Sequence, residues 1–496
     1  MIEQLDRVMS TVAGIDSALG LLGWDQETYM PSNAVEARAN QLAVLSGLRH
    51  EQLTSDEALS AGEGAKAHLP SLTERKRLVV LNFLEEQERA IKLPAEHVEK
   101  VARTTTLGQD AWKRAKDARD FSLFRDSLEE ITNLKRAEAE LLGYEQHPYD
   151  AMLDLYEPGL TVEQLNPVFA SLVSSTRSLL DDIKPFSTNV SNAVLFRTYP
   201  KQQQLEFASR LVQQLGFSMQ TGRVDLSAHP FCTHFDRTDV RLTTRIREQD
   251  LRSCLFGLIH ESGHGMYEQG VSPDLSGTLS GQGASMGIHE SQSLFWENII
   301  GRSEEFWQWA FPQLRDVFPD QLASESPESF FKAINVMQPS LNRVESDELT
   351  YNLHIILRFE IERDLMAGTL SVKDIPAAWN EKMAMLLGVV PSTDDEGCLQ
   401  DVHWSFGGIG YFPSYTLGKL YSAMLWNRMQ REQPNVKNAI RNGEFAVILS
   451  WLRDNIHDYG KTEKPAAIIQ RVCHSPLTEV DFVNYVKAKA QRVYGC

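Results

Sequence analysis

Residues 251–270, LRSCLFGLIHESGHGMYEQG, decide how the rest of the chain is read. Within them His260, Glu261 and His264 stand in the order H-E-x-x-H. On a helix, side chains four apart lie on one face, so both imidazoles point the same way and can hold one metal ion. Glu261 is turned about 100° round the helix from His260. That puts it beside the ion but off the ligand axis, where a base must stand to take a proton from an activated water. The flanks predict a helix from Leu251, with Asp250 as N-cap, Gly270 as the C′ residue and no proline between. Leu251, Leu255, Leu258 and Ile259 form the opposite, apolar face, so this helix is expected to be deeply buried.

H-E-x-x-H alone arises by chance in roughly 2% of chains of this length. A catalytic zinc also needs a third protein ligand and an open position for water. The sequence offers Glu290 in GIHESQSLFWEN (287–298), on a second helix that follows the Gly- and Ser-rich loop at 272–287. Two helices joined in this way can face each other across an ion. Glu297, two turns on, is the alternative ligand; Glu268 suits a supporting contact, and His289 is a further candidate.

The 496 residues could hold more than one domain, but no low-complexity linker or internal repeat marks a boundary. One catalytic domain over 1–496 is expected, with the helices of about 1–145 as a wall or lid. A net charge of −18 argues against nucleic acid or an anionic membrane as partner. No apolar run approaches the roughly 18 residues of a spanning helix, and MIEQLDRVMS lacks the pattern of a secretory signal. The five cysteines, at 232, 254, 398, 473 and 496, are scattered and odd in number, which fits reduced thiols in the cytoplasm.

Residues 1–145 read as helices throughout. Phe124, Leu128, Ile131, Leu134, Ala137 and Leu141 recur at three and four, and Gly143 closes that helix. The charge runs TERKR (73–77) and EEQER (85–89) read as solvated helix faces. The clear strand is VRLTTRI (240–246), where apolar and polar residues alternate. RVDLSAHPF (223–231) is its expected antiparallel partner, joined through CTHFDRTD (232–239). Such a sheet is either a structural hairpin or an edge that takes an extended peptide as an added strand. Helical periodicity then resumes to the carboxyl end, broken from 388 to 413 by a Gly-, Pro- and Asp-rich loop with too many polar and aromatic residues to be a spacer.

Taken together, HESGH (260–264), HESQS (289–293) and GCLQDVHW (397–404) resemble the metallocarboxypeptidases of family M32, the carboxypeptidase Taq type. HPF at 229–231, D-x-R-x-T at Asp239, Arg241 and Thr243, and NRVESDELTY at 342–351 fit the same family. The resemblance extends from WDQETYMP (24–31) to PLTEVDFVNYV (476–486). One departure is visible: Asn342 and Ser346 replace an apolar residue and an alanine in the family's arginine motif, while Arg343 and Asp347 remain. The resemblance implies a mainly α fold with a deep groove, similar to neurolysin and angiotensin-converting enzyme, with a small antiparallel sheet beside the H-E-x-x-H helix. It implies a homodimer that binds Zn2+, with Co2+ as a substitute. It also implies release of single residues from peptides with a free C-terminal carboxylate, with broad specificity.

The chemistry then assigns the roles. His260, His264 and Glu290 hold the metal, and Glu261 is the general base. The oxyanion needs a donor besides the metal. The resemblance implies a histidine and a tyrosine from such a loop at the oxyanion; His403 and Tyr415, on a loop made pliable by Gly407, Gly408 and Gly410, are the first choice, and Tyr411 the second. A terminal carboxylate calls for an arginine. Arg343 is the candidate because it lies in the motif that resembles the family's, unless it pairs with Asp347 four residues on along one helix; Arg241 is next, and His229 suits a contact with substrate backbone. Two alternatives stay open: an endo-oligopeptidase or dipeptidyl-type enzyme on the same fold, and a decayed, peptide-binding relative.

Overall fold

Twenty α-helices and three short strands make up the chain in a computed structural model that describes residues 2–495. The amino-terminal helices are α1 (Ile2–Thr28), α2 (Val35–Thr54), α3 (Asp56–His68), α4 (Glu74–Lys92), α5 (Ala95–Ala118) and α6 (Ser122–Leu142). A short α7 (Pro148–Leu153) leads to α8 (Val162–Ile183) and α9 (Lys201–Leu215). The strands follow as β1 (Gly222–Leu226), β2 (Cys232–Asp236) and β3 (Asp239–Thr244). After them come α10 (Leu251–Gly270), α11 (Met286–Leu294), α12 (Glu304–Val317), α13 (Pro327–Ile334), α14 (Tyr351–Ala367), α15 (Ile375–Leu387) and α16 (Pro413–Glu432). Four more helices close the chain: α17 (Val436–Asn442), α18 (Ala446–Asn455), α19 (Pro465–Cys473) and α20 (Val480–Tyr494). No helix among the described residues is long and apolar enough to cross a membrane.

Apolar burial divides the molecule unevenly. One large core runs through most of the helices from α5 to α20. A smaller one joins α1, α3 and α4 to Val271, Leu275 and Leu279, just after α10. The charge runs on α4 are more than solvated faces. Arg75 pairs with Asp458, Lys76 with Asp6, Arg89 with Asp154 and Glu86 with Lys461, so they tie α4 to three other segments. The stripe on α6 also drifts from its expected course. Phe124, Leu128, Ile131 and Leu134 are buried, but Ala137 and Leu141 are exposed. Lys135 and Glu138 take the buried positions as an ion pair of 2.9 Å, with Lys135 packed under Gly407. A straight helix has 3.6 residues per turn, so a long stripe slides round the barrel.

The sheet is mixed, in the order β1-β3-β2. The expected antiparallel partner of β3, in RVDL, instead runs parallel to it as β1. The antiparallel partner is β2, inside the stretch read as a connection. The reason is the tight turn at 236–239: the Asp236 carboxylate accepts the Thr238 N–H and hydroxyl, which reverses the chain directly into β3. Val240 and Leu242 point at the core; Leu242 meets α10 at Gly265. On the other face Arg241 pairs with Asp239 and lies over the rings of Trp24 and Phe235, 4.3 and 4.8 Å from their centroids. Thr243 fixes Phe231 by accepting its N–H. The D-x-R-x-T residues thus fasten α1 and the Pro230–Phe231 bend to the sheet.

Candidate metal centre

The helix that bears the two histidines starts as its sequence requires, with the Asp250 carboxylate accepting the Arg252 N–H. Its far end differs from expectation. Gly270 is the last helical residue and not a left-handed cap; a Cβ there would stand 2.6 Å from His457 Nδ1, so the glycine serves close packing. The same device builds the site. Gly263, between the two histidines, lies so close to α11 that a Cβ would be 2.6 Å from Gln292 O and Ser293 Cα. From the opposite side α16 presses on α11 at Gly418, where a Cβ would be 2.5 Å from Glu290 Cγ. Two glycines therefore let three helices converge on Glu290.

His260, His264 and Glu290 each bring one ligand atom, and the three lie within 4.8 Å of one another. Glu290 Oε2 is 3.6 Å from His260 Nε2 and 3.4 Å from His264 Nε2. The other ring nitrogens are engaged elsewhere, which leaves both Nε2 lone pairs for an ion. His260 Nδ1 is 3.0 Å from Glu297 Oε2, and Glu297 in turn receives Arg302 at 2.8 Å. His264 Nδ1 is 2.6 Å from His289 Nδ1, and His289 Nε2 is 2.6 Å from Glu268 Oε1. Glu297, Glu268 and His289 therefore stand behind the cluster and orient its rings. A wider, π-helical turn at Phe295–Ile300, continuing from α11, carries Glu297.

The charges suit a cation. Burial disfavours a protonated His260, yet Glu290, Glu297 and Glu261 push it up to about 10. Burial drives His264 the other way, down to about 4. Glu297, despite burial, is held at about 2, chiefly by Arg302. Two imidazoles and a carboxylate, surrounded by further carboxylates, form a donor set matched to a divalent transition metal. Glu261 is 6% exposed; burial raises its carboxyl to about 7, with His260 opposing and Glu290 and Glu297 adding to the rise. No hydrogen bond from any described residue reaches it.

The end of the 388–413 segment and the start of α16 come within the electrostatic reach of Glu290, at Tyr411 and Tyr415. His403 opens a short 3₁₀ turn and Tyr411 sits in the loop, but Tyr415 is in the first turn of α16, because Pro413 already starts that helix. His403 Nε2 is 3.1 Å from the Tyr415 hydroxyl, and the Tyr411 and Tyr415 rings are 5.4 Å apart. Burial raises the hydroxyl pKa of Tyr351, Tyr411 and Tyr415, and the Glu290 carboxylate raises it further in all three. Arg343 reaches the same place. Its guanidinium stands 5.0 Å from the Tyr415 ring and donates to the Tyr351 hydroxyl at 2.6 Å.

Arg343 does not pair with Asp347. It lies in a turn before α14, where the Asp347 carboxylate is taken by the N–H groups of Gln338, Leu349 and Thr350. Its partner is Asp401, at 2.9 Å from Nε, and Asp401 also accepts Arg358 at 2.6 Å. Although burial opposes it, these two guanidiniums hold Asp401 far below the usual carboxylate range. His229 is exposed, and its carbonyl accepts the Ser227 hydroxyl. Asp401, Arg358 and Tyr351 were not singled out from the sequence, although Asp401 and Tyr351 fall inside the quoted motifs GCLQDVHW and NRVESDELTY. Cys232, Cys254, Cys398 and Cys473 are free thiols; Cys496 lies outside the described residues.

Comparison with known proteins agrees along the whole chain. A family model described as carboxypeptidase Taq (M32) metallopeptidase matches residues 4–490. Carboxypeptidase 1 of Bacillus subtilis is 38% identical over 487 residues, covering 98% of this chain and 97% of that one. Thermostable carboxypeptidase 1 of Pyrococcus furiosus is 38% identical, with 98% of each covered. The crystal structure of the M32 carboxypeptidase from Deinococcus radiodurans superposes with a TM-score of 0.96 at 36% identity, over 100% of this chain and 99% of that one.

Proposed function

The chain belongs to the carboxypeptidase Taq (M32) family of metallopeptidases and is a metallocarboxypeptidase, and on that premise we propose that it uses zinc to release single C-terminal residues from peptides with broad specificity. The observation that carries the reading is the convergence of His260, His264 and Glu290 beside an unbonded, buried Glu261. His260, His264 and Glu290 would hold Zn2+, or Co2+ as a substitute, which would supply Lewis-acid polarisation of the scissile carbonyl and lower the pKa of water.

The chain's own residues do the rest. Glu261 takes the proton of the attacking water and passes it to the leaving amine. Its carboxyl, near 7 in the chain alone, falls when a cation sits beside it, so it is ionised at neutral pH. Burial keeps His403 neutral, at about 3, with Asp401 opposing and the two arginines assisting. With its proton on Nε2, His403 donates to the Tyr415 oxygen, and the Tyr415 hydrogen is left for the developing oxyanion. Tyr411 is the alternative donor.

Arg343 receives the terminal carboxylate. Two guanidiniums and one carboxylate, Arg343, Arg358 and Asp401, leave a buried cluster of net charge +1 beside the tyrosines, the complement of one terminal carboxylate. Asp401 and Tyr351 engage Nε and one hydrogen on each terminal nitrogen, so two N–H groups of Arg343 stay free. Arg241 lies over Trp24 and Phe235 on the sheet, whereas Arg343 stands 5.0 Å from the Tyr415 ring, which favours Arg343 over it. His229, exposed at the start of the HPF bend, suits a contact with substrate backbone.

The chain is further read as one catalytic domain, with its amino-terminal helices as a wall, acting as a cytoplasmic homodimer; sedimentation of the purified protein tests the oligomer. The test of function is mass spectrometry of the products from a mixed peptide set, with and without chelator. Single-residue losses from the carboxyl end that stop with chelator are expected; internal cuts, or cleavage by protein stripped of metal, would overturn it.

A further inference from the structure

One buried carboxylate beside this site has no part in the reaction as derived. Glu362 on α14 is fully buried and makes no salt bridge among the described residues. Its Oε1 accepts the Trp404 Nε1–H at 2.8 Å; its Oε2 accepts the Tyr149 hydroxyl at 2.7 Å and the Gly410 N–H at 3.0 Å. Trp404 follows His403 in the chain, and Gly410 precedes Tyr411. A single side chain therefore grips the loop next to both His403 and Tyr411.

That grip matters because His403 is oriented by its own loop. Among the described residues its ring makes one hydrogen bond, to Tyr415, and its Nδ1 is buried with no partner. Its other ring neighbours, Phe406, Tyr411 and Phe412, belong to the same stretch of chain, so where the ring points follows that backbone. The gripped stretch turns through Gly407 and ends on Gly410, both at positive φ, and a Cβ on Gly410 would lie 2.5 Å from Met152 O. The loop is thus pressed onto α7 on one side and held from α14 on the other. The three groups around Glu362 are all presented as donors, and a carboxylate accepts from all three. An amide cannot: with its oxygen toward Gly410, its NH2 faces the Trp404 N–H, and neither can accept.

We propose that Glu362 is a positioning residue, whose carboxylate holds Trp404 and Gly410 so that His403 stays hydrogen-bonded to Tyr415 and Tyr411 keeps its place beside that hydroxyl. It rests on the reading that this loop serves the oxyanion, and the variants below separate the two. A shift of the loop by about 1 Å is enough to lower turnover a hundredfold.

The test is steady-state kinetics of Glu362→Gln, normalised to bound metal. The expected result is a kcat lowered roughly tenfold to a hundredfold, with KM within about threefold and metal content unchanged. Adding Trp404→Phe removes the donor that the amide cannot satisfy, so the double variant should recover at least about threefold in kcat over Glu362→Gln. A kcat within about twofold of wild type for Glu362→Gln, or no recovery in the double variant, overturns the proposal. If Glu362→Gln does not fold, Tyr149→Phe, which loosens the carboxylate from the α7 side, should still lower kcat by a few-fold at constant KM; an unchanged kcat overturns the proposal. Tyr415→Phe and His403→Ala run alongside. Should both keep wild-type kcat, the oxyanion reading itself fails; should they lose it while Glu362→Gln does not, only the positioning role fails.

Discussion

Replacing Gly418 by alanine adds one carbon at the point where α16 meets Glu290, the proposed third metal ligand. That Cβ would lie 2.5 Å from Glu290 Cγ, 2.7 Å from its Cβ and 3.0 Å from its carbonyl carbon. Carbon atoms rest at about 3.5–4.0 Å, so roughly 1 Å must be absorbed. The nearest atoms are the root of a ligand side chain and its backbone, so no flexible tip can swing aside. The overpacking costs about 1–3 kcal/mol, and it moves Glu290 Oε2 away from imidazole nitrogens that now stand at 3.4 and 3.6 Å. Metal affinity should fall about 10- to 100-fold, the range seen when support for a ligand is lost. Competition against a chromophoric chelator measures it, with thermal unfolding of the same samples. Gly14→Ala is the control: nothing lies within 4 Å of the added Cβ on α1, so metal affinity should not change. Wild-type affinity in Gly418→Ala would refute the idea that the close approach of α16 sets the ligand.

The remaining predictions concern single carboxylates and one arginine. Glu261→Gln should keep the metal and lose several orders of magnitude in kcat, while Glu290→Gln should lose the metal; equilibrium dialysis and kinetics on the same preparations separate them. Arg343→Ala should lose tenfold to over a hundredfold on free-acid peptides, as expected for a charge-assisted contact of about 1.5–3 kcal/mol. It should show little further loss on C-terminally amidated ones; an undiminished preference for the free acid would make Arg343 structural. Glu157, which accepts the Gly287 N–H and the Tyr421 hydroxyl, is raised to about 7 by burial. Between about pH 4.5 and 7 the native state thus holds a proton that the unfolded chain has released, and stability falls as pH rises through that window, by up to about 3 kcal/mol. Glu157→Gln should flatten that slope in denaturant melts at pH 5 and pH 7.

What could be read from the sequence was local or carried by motifs. Asp250 caps its helix through a bond two residues away, and His260 and His264 share a face by helical geometry alone. Glu290 lay outside that reach but within a second helix predicted from its own pattern. The misreadings share a cause: each depended on partners distant in the chain. Whether RVDL runs with or against β3 is decided by the 236–239 turn, which hands β3 to β2 first. Arg343 was measured against the acid four residues on, yet its partner lies 58 residues away, and no local spacing points to Asp401. Ala137 gives way to Lys135 on α6 because a loop from beyond residue 400 covers that face. Gly263 and Gly418 look like helix-weakening residues until the neighbouring helix is in place.

The buried carboxylates sort themselves by what touches them, and that sorting bears on the proposed base. Glu297 has Arg302 and His260 as partners, Glu268 has His234 and His289, and despite burial both are held at about 2. Glu157, Glu362 and Glu261 have no such cation bonded to them, and burial lifts all three to about 7. Two of these already serve fixed donors: Glu157 accepts from Gly287 and Tyr421, and Glu362 from Tyr149, Trp404 and Gly410. Glu261 alone of the three carries no hydrogen bond from the protein, and it is the one adjacent to the ligand cluster. A general base needs a carboxylate whose lone pairs are unclaimed and which stands next to the water it deprotonates. Among the buried acids around this site, that combination occurs at Glu261 and at neither of the other two raised carboxylates, which supports giving the proton transfer to Glu261 and fixed scaffolding to Glu157 and Glu362.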